Sequence, residues 1–174
     1  MRTATGGGPA GIGPAGTGAG TVTGIELQRR FRASPDRVFR AWTAPTALRE
    51  WWCPPGWIAG EIEIDLRPGG SYRIEMRRLC DSTLVAVRGA FLEVTPPRRL
   101  VYTWSWDGAF AEMAQTLVTV EIDGSEDGAV LTLRHENFGD LGIRNQHSTG
   151  WIAACNRLDR VMTPAGELCR HSAD

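Results

Sequence analysis

The stretch IAGEIEIDLRPGGSYRIEM, residues 58–76, reads as two strands folded on one tight turn. Ile58, Ile62, Ile64 and Leu66 share one face, against Glu61, Glu63 and Asp65 on the other. After Pro68-Gly69-Gly70, Tyr72, Ile74 and Met76 alternate with Arg73, Glu75 and Arg77. A period of two is the signature of a strand, and glycine beside proline marks the reversal between two of them. One apolar and one charged face in such a hairpin predict an antiparallel sheet, packed on a core from one side and wet on the other.

The same pattern extends along the chain. Thr21 to Arg32 reads as a strand of moderate alternation. Ser34-Pro35 then supplies a capping hydroxyl and a proline at the first helical position, and Val38, Phe39 and Trp42 follow at helical spacing. Pro45 interrupts, and a second short helix carries Leu48, Trp51 and Trp52 up to Pro54-Pro55-Gly56. Beyond the opening hairpin, Leu84 to Val94 is a long apolar strand whose facing is ambiguous around Gly89, where a bulge would fit. Leu100, Tyr102, Trp104 and Trp106 form one face of the next strand. Leu117 to Ile122 and Ala129 to His135 complete the set. A helix from about His147 to Met162 closes the order, with Trp151, Ala154, Cys155, Leu158, Val161 and Met162 on its apolar side. The class is therefore α+β: a seven-stranded curved antiparallel sheet, two short helices after the first strand, and a long C-terminal helix over the apolar face.

Composition narrows the chemistry. The 174 residues carry 19 basic and 20 acidic side chains, and every basic one is arginine. Without lysine there is no Schiff-base amine, P-loop lysine or lysine general base. A net charge of −1 argues against a nucleic-acid partner. The pairs Arg29-Arg30, Arg77-Arg78 and Arg98-Arg99 read as solvated strand ends and turns. No run approaches the ~18–20 apolar residues of a membrane span, so no membrane insertion is expected. Cys53, Cys80, Cys155 and Cys169 are widely spaced, with no C-x-x-C, which points to a reduced, cytoplasmic protein. Nothing demands an oligomer, and an exposed sheet edge leaves monomer and homodimer both open.

Residues 1–20 are rich in glycine, alanine and proline and read as a disordered tail. Within them Gly11-Ile12-Gly13-Pro14-Ala15-Gly16 matches the dinucleotide fingerprint by letter, but it lacks the preceding strand and following helix that would point N–H groups at a pyrophosphate. The domain proper spans residues 21–165, and 166–174 read as a flexible C-terminus.

Candidate site residues follow from the facing. A twisted seven-stranded sheet curls, and one helix covers its hollow only in part. Tyr72, Trp104, Trp106 and His135 point into that hollow, and Trp52, Trp151 and Cys155 approach it from the helices. Large rings around a concave floor either line a small-molecule pocket or fill a core, and the sequence leaves both readings standing. His135-Glu136 lacks the second histidine of H-E-x-x-H, and on a strand the two side chains point to opposite faces. His135 then reads as a hydrogen-bonded core histidine, with an acid/base or ligand-orienting role as the rival. His147 and Trp151 lie one turn apart at the expected helix start, with Gly150 beside them allowing close approach to the sheet. Arg88 would grip a ligand carboxylate if it pointed inward, but an outward direction fits its strand better. Cys53, beside Pro54, reads as exposed. No metal site or cofactor is expected, since the cysteines lack ligand spacing.

Several motifs in order resemble one known family. They are Ala33-Ser34-Pro35-Asp36-Arg37-Val38-Phe39-Arg40-Ala41-Trp42-Thr43 with Trp51-Trp52 and Pro54-Pro55-Gly56, then Arg67 to Tyr72, Gly89 to Leu100, Tyr102-Thr103-Trp104, Leu131 to Phe138, and His147 to Trp151. Together they resemble the activator of heat-shock-protein-90 ATPase homologue family, within the START-related, birch-pollen-allergen-like helix-grip superfamily. The resemblance covers about Thr21 to Thr163. It implies a helix-grip fold with a hydrophobic cavity between sheet and C-terminal helix. It implies no single activity, because the superfamily includes lipid and hormone binders, cyclases and aromatases, and co-chaperone domains. The eukaryotic co-chaperone carries a further N-terminal domain where this chain has its glycine-rich segment, so a chaperone partner is the weaker expectation. The leading expectation is binding of a small hydrophobic or aromatic ligand, with no catalytic residue. A cyclase- or dehydratase-like enzyme using His135, Tyr72 or rim carboxylates is the alternative.

Overall fold

The computed structural model describes residues 24–163, so the tail at 1–20 and the C-terminus at 166–174 lie outside the described residues. Strand β1 (Ile25–Phe31) is followed by helices α1 (Pro35–Thr43) and α2 (Pro45–Trp51). The hydroxyl of Ser34 accepts from the Arg37 N–H at 3.4 Å, and Pro35 occupies the first turn, where its missing N–H costs nothing. Ala44 is extended (φ −88°, ψ 125°), as the residue before a proline prefers, and this separates the two helices.

Strands β2 (Trp57–Ile64), β3 (Ser71–Arg78), β4 (Leu84–Thr95), β5 (Arg99–Gly108), β6 (Thr116–Ser125) and β7 (Gly128–Glu136) come next, and helix α3 (Leu141–Met162) closes the order. The sheet order is β1-β7-β6-β5-β4-β3-β2, antiparallel throughout. The two short helices carry the chain from one sheet edge to the other. No helix among the described residues is long and apolar enough to cross a membrane.

Two bulges correct the expected facing. The β2–β3 register shifts between Ala59 and Ile62, so Trp57 and Ala59 pack inward before the shift and Ile62 and Ile64 after it. Ile58, expected inward, is therefore exposed, and Leu66 is exposed in the turn beyond the strand. In β4 the shift lies between Phe91 and Glu93, leaving Leu92 facing out, rather than at Gly89. Gly89 has a different job. A Cβ there would sit 1.9 Å from the Thr103 carbonyl oxygen and 2.8 Å from the Tyr72 ring. Its bare backbone lets Tyr72, its partner across the ladder, lean over β4 and donate its hydroxyl to the Thr103 carbonyl at 2.8 Å.

Helix α3 begins six residues earlier than expected. Asp140 caps it by accepting from the Ile143 N–H at 2.8 Å, and Arg144 ties the first turns to the residue just before β1 through the Gly24 carbonyl at 2.9 Å. Of the residues in those turns Leu141 is exposed and Ile143 alone packs on the core, so apolar periodicity could not reveal them. At the other end Val161, expected on the apolar side, faces outward.

Candidate functional site

Tryptophans meet where α2, α3 and the concave face of β5 converge. Trp52 lies 5.7 Å from Trp104 and 5.7 Å from Trp151, Trp104 lies 5.3 Å from Trp151, and Trp106 adjoins Trp104 at 5.8 Å (ring centroids). Behind them Trp42 stacks on Trp151 at 5.9 Å with a 16° interplanar angle. These rings do not close over the hollow. They leave a pocket of about 220 Å³. Met76 and Val87 belong to its sheet side, Phe110 and Met113 come from the β5–β6 connection, and His147, Gly150, Ala154 and Arg157 come from α3. A smaller recess of about 80 Å³ shares Trp104, Trp106, Met113 and His147 with it and reaches Thr116 and Phe138.

Two of the pocket rings, Trp151 and Trp106, are held by directed hydrogen bonds. Trp151 Nε1–H donates to His135 Nδ1 at 3.0 Å. An indole nitrogen only donates, so Nδ1 is bare and the neutral ring carries its proton on Nε2. That proton goes to Thr116 Oγ1 at 2.7 Å, and the Thr116 hydroxyl points on to the Trp104 carbonyl at 3.4 Å. His135 is fully buried, and burial, aided by the nearby His147, pushes its pKa down to about 3. His147 follows the same logic. It accepts from Trp106 Nε1–H at Nε2 (3.1 Å) and donates from Nδ1 to the Ile143 carbonyl (2.8 Å), and burial lowers its pKa. Both imidazoles are neutral struts. The Trp104 indole nitrogen, by contrast, is buried and finds no partner among the described residues.

Of the residues singled out from sequence, Trp52, Trp104, Trp106 and Trp151 line the pocket together. Tyr72 lies apart, against Phe91 and Tyr102, beside a crevice of about 20 Å³. His135 and Cys155 are wholly buried and outside the pocket lining. Burial raises the Cys155 thiol to about 11, which makes it a small apolar filler. Cys53, read as exposed, is half-buried against the core, and burial raises its thiol to about 11 as well. Arg88 points outward to Asp107.

Gly150 also departs from expectation. Nothing lies within 4 Å of a Cβ built there, so it makes no close approach to the sheet and instead borders the open pocket. Phe110, Met113, Gln146 and Arg157 are lining residues that the sequence reading missed. For α3 a signal existed: His147, Gly150, Ala154 and Arg157 recur at three- and four-residue spacing, a single helical stripe. Phe110 and Met113 sit in an irregular connection that carries no such period. Among the described residues no three His, Cys, Asp or Glu side chains gather as a metal site would require.

Residues 32–163 match the family model described as activator of Hsp90 ATPase homolog 1-like protein. No curated protein matches the chain. Among solved structures, a protein from Chromobacterium violaceum is 30% identical with a TM-score of 0.74, over 81% of this chain and 98% of its own. An AHSA1 protein from Silicibacter pomeroyi is 25% identical with a TM-score of 0.70, over 79% and 96%. One from Rhodobacter sphaeroides is 25% identical with a TM-score of 0.71, over 83% and 94%.

Proposed function

This chain belongs to the activator of Hsp90 ATPase homolog 1-like family, and we propose that it uses the helix-grip fold to bind a small apolar or aromatic molecule without converting it. The observation that carries the reading is the tryptophan-walled pocket between sheet and helix. Four indoles around one opening offer flat apolar surface with little side-chain entropy to lose on binding. Its volume of about 220 Å³ falls below the ~300 Å³ at which drug-sized sites begin, so it suits one ring system or one end of a longer molecule. The histidines favour binding over catalysis. Each has both ring nitrogens committed to protein partners, and a general base needs a free one within reach of substrate.

Gly150 provides the test. Native mass spectrometry of the freshly purified chain, then titration with naphthalene read by tryptophan fluorescence, is expected to show one molecule bound per chain. Gly150→Leu is expected to abolish that uptake while the protein melts no lower than the parent, because the new side chain enters open space on a helix. Equal uptake by parent and variant, or uptake by neither, would overturn the reading.

A further inference from the structure

The pocket's lining is apolar apart from three side chains on α3, and one of these is charged. His147 is neutral and committed, Gln146 is an uncharged amide, and Arg157 is a guanidinium. Arg157 donates Nε–H to the Trp51 carbonyl at 2.8 Å and one Nη2 hydrogen to the Trp52 carbonyl at 3.3 Å. Those two bonds tie α3 to the end of α2 and hold the guanidinium plane in place. They use two of its five N–H groups. No ion pair among the described residues involves Arg157, although other arginines, such as Arg88 and Arg134, reach a carboxylate on the outer face.

The surroundings reinforce the imbalance. Arg49 spends its Nη1 on the Ala59 and Gly60 carbonyls, and it joins Arg157 in acting on the half-buried Cys53, while Arg160 acts on Arg157 from the same helix. Positive charge collects at this corner, and no acidic side chain lines the pocket to balance it. Burial works against the charge of Arg157 and lowers its pKa, a cost that no carboxylate within the described chain offsets.

Taking the pocket as the binding site proposed above, we infer that its ligand is an apolar or aromatic carboxylate, with the ring system among Trp104, Trp106 and Trp151 and the carboxylate on the unused donors of Arg157. A fork already fixed by two carbonyls presents planar donors at little entropic cost, which suits a planar anion. Gln146 offers an amide N–H at the same wall. An arginine needed only to close α2 would serve equally well facing solvent; this one lines an otherwise uncharged pocket.

The probe is a matched pair, 2-naphthoate and its neutral isostere 2-naphthamide, titrated into the full chain at neutral pH and read by calorimetry. The acid is expected to bind at least about tenfold tighter than the amide, the usual advantage of a charge-assisted hydrogen bond. Its affinity should fall with added salt while the amide's stays level. Arg157→Gln should erase the preference and Arg157→Lys should keep part of it, each variant first checked for a parent-like melting curve. Should Arg157→Gln fail to fold, the acid–amide ratio and its salt dependence in the parent chain still decide. Equal binding of both probes overturns the carboxylate assignment and leaves the pocket reading standing. A preference that survives in a folded Arg157→Gln overturns the role of Arg157. Binding of neither probe overturns both inferences.

Discussion

His135 decides more than its single position suggests, because its two nitrogens join β7, β6 and α3 through Thr116 and Trp151. Its folded pKa, about 3, lies below the 6.5 of the unfolded chain. Between those values the unfolded state binds the extra proton, so stability is full above pH 6.5 and is lost as the pH falls toward 3. The slope well inside that window approaches about 1.4 kcal/mol per pH unit, and His147 adds in the same direction. Urea unfolding at a series of pH values from neutral down to mildly acidic measures it. His135→Phe should make the acid limb shallower while lowering stability at neutral pH by about 1–3 kcal/mol, since it strands the Trp151 indole N–H. Gly150 is the opposite case, a residue that works against the helix holding it. Gly150→Ala should raise stability by about 0.5–1 kcal/mol, read as a higher melting temperature, while taking space from the pocket. A lower melting temperature would mean that the position serves the fold after all.

Helix α3 shows what one cap can do for an element. Its first turns, Leu141 to Gln146, hold Gly142, Arg144, Asn145 and Gln146, so their helical form leans on Asp140 and on the tie from Arg144 to Gly24. Asp140→Ala is expected to cost about 1 kcal/mol and to speed amide hydrogen exchange across 141–146, with exchange beyond Trp151 unchanged. Those turns carry Gln146 and adjoin His147, so fraying them should loosen the pocket wall before the core responds. Among the strands, β2 illustrates the limit of a period-two reading. The alternation of isoleucines is real, yet the shift between Ala59 and Ile62 reverses its sense partway along, and Ile58 ends up in solvent. No composition rule distinguishes a strand glycine at a bulge, near Gly60, from one at a close approach, Gly89; each depends on what the neighbouring strand puts beside it.

At the scale of the whole molecule, the two sheet faces do different work. The concave face carries the tryptophans and the pocket, while the convex face carries a ladder of ion pairs. Glu26 on β1, Arg134 on β7, Glu121 on β6, Arg99 on β5 and Glu93 on β4 link five adjacent strands. Glu121 is the centre, paired to both arginines, so Glu121→Gln should cost about 1 kcal/mol, roughly two partly exposed pairs. That loss should shrink at about 0.5 M salt, where charges are screened; a salt-independent loss would assign it to packing instead. The sequence by itself determined the sheet, its antiparallel sense, the order of elements and the apolar identity of its inner face, because period-two alternation, proline and glycine turns and a capping serine act locally. It also brought Trp52, Trp104, Trp106 and Trp151 forward as candidates. Only the tertiary structure separated Tyr72, His135 and Cys155 from the pocket, added Phe110, Met113 and Arg157 to it, and left Gly150 facing open space. Those outcomes depend on how far the sheet curls and where α3 rests on it, distances between residues remote in the chain that no local pattern encodes.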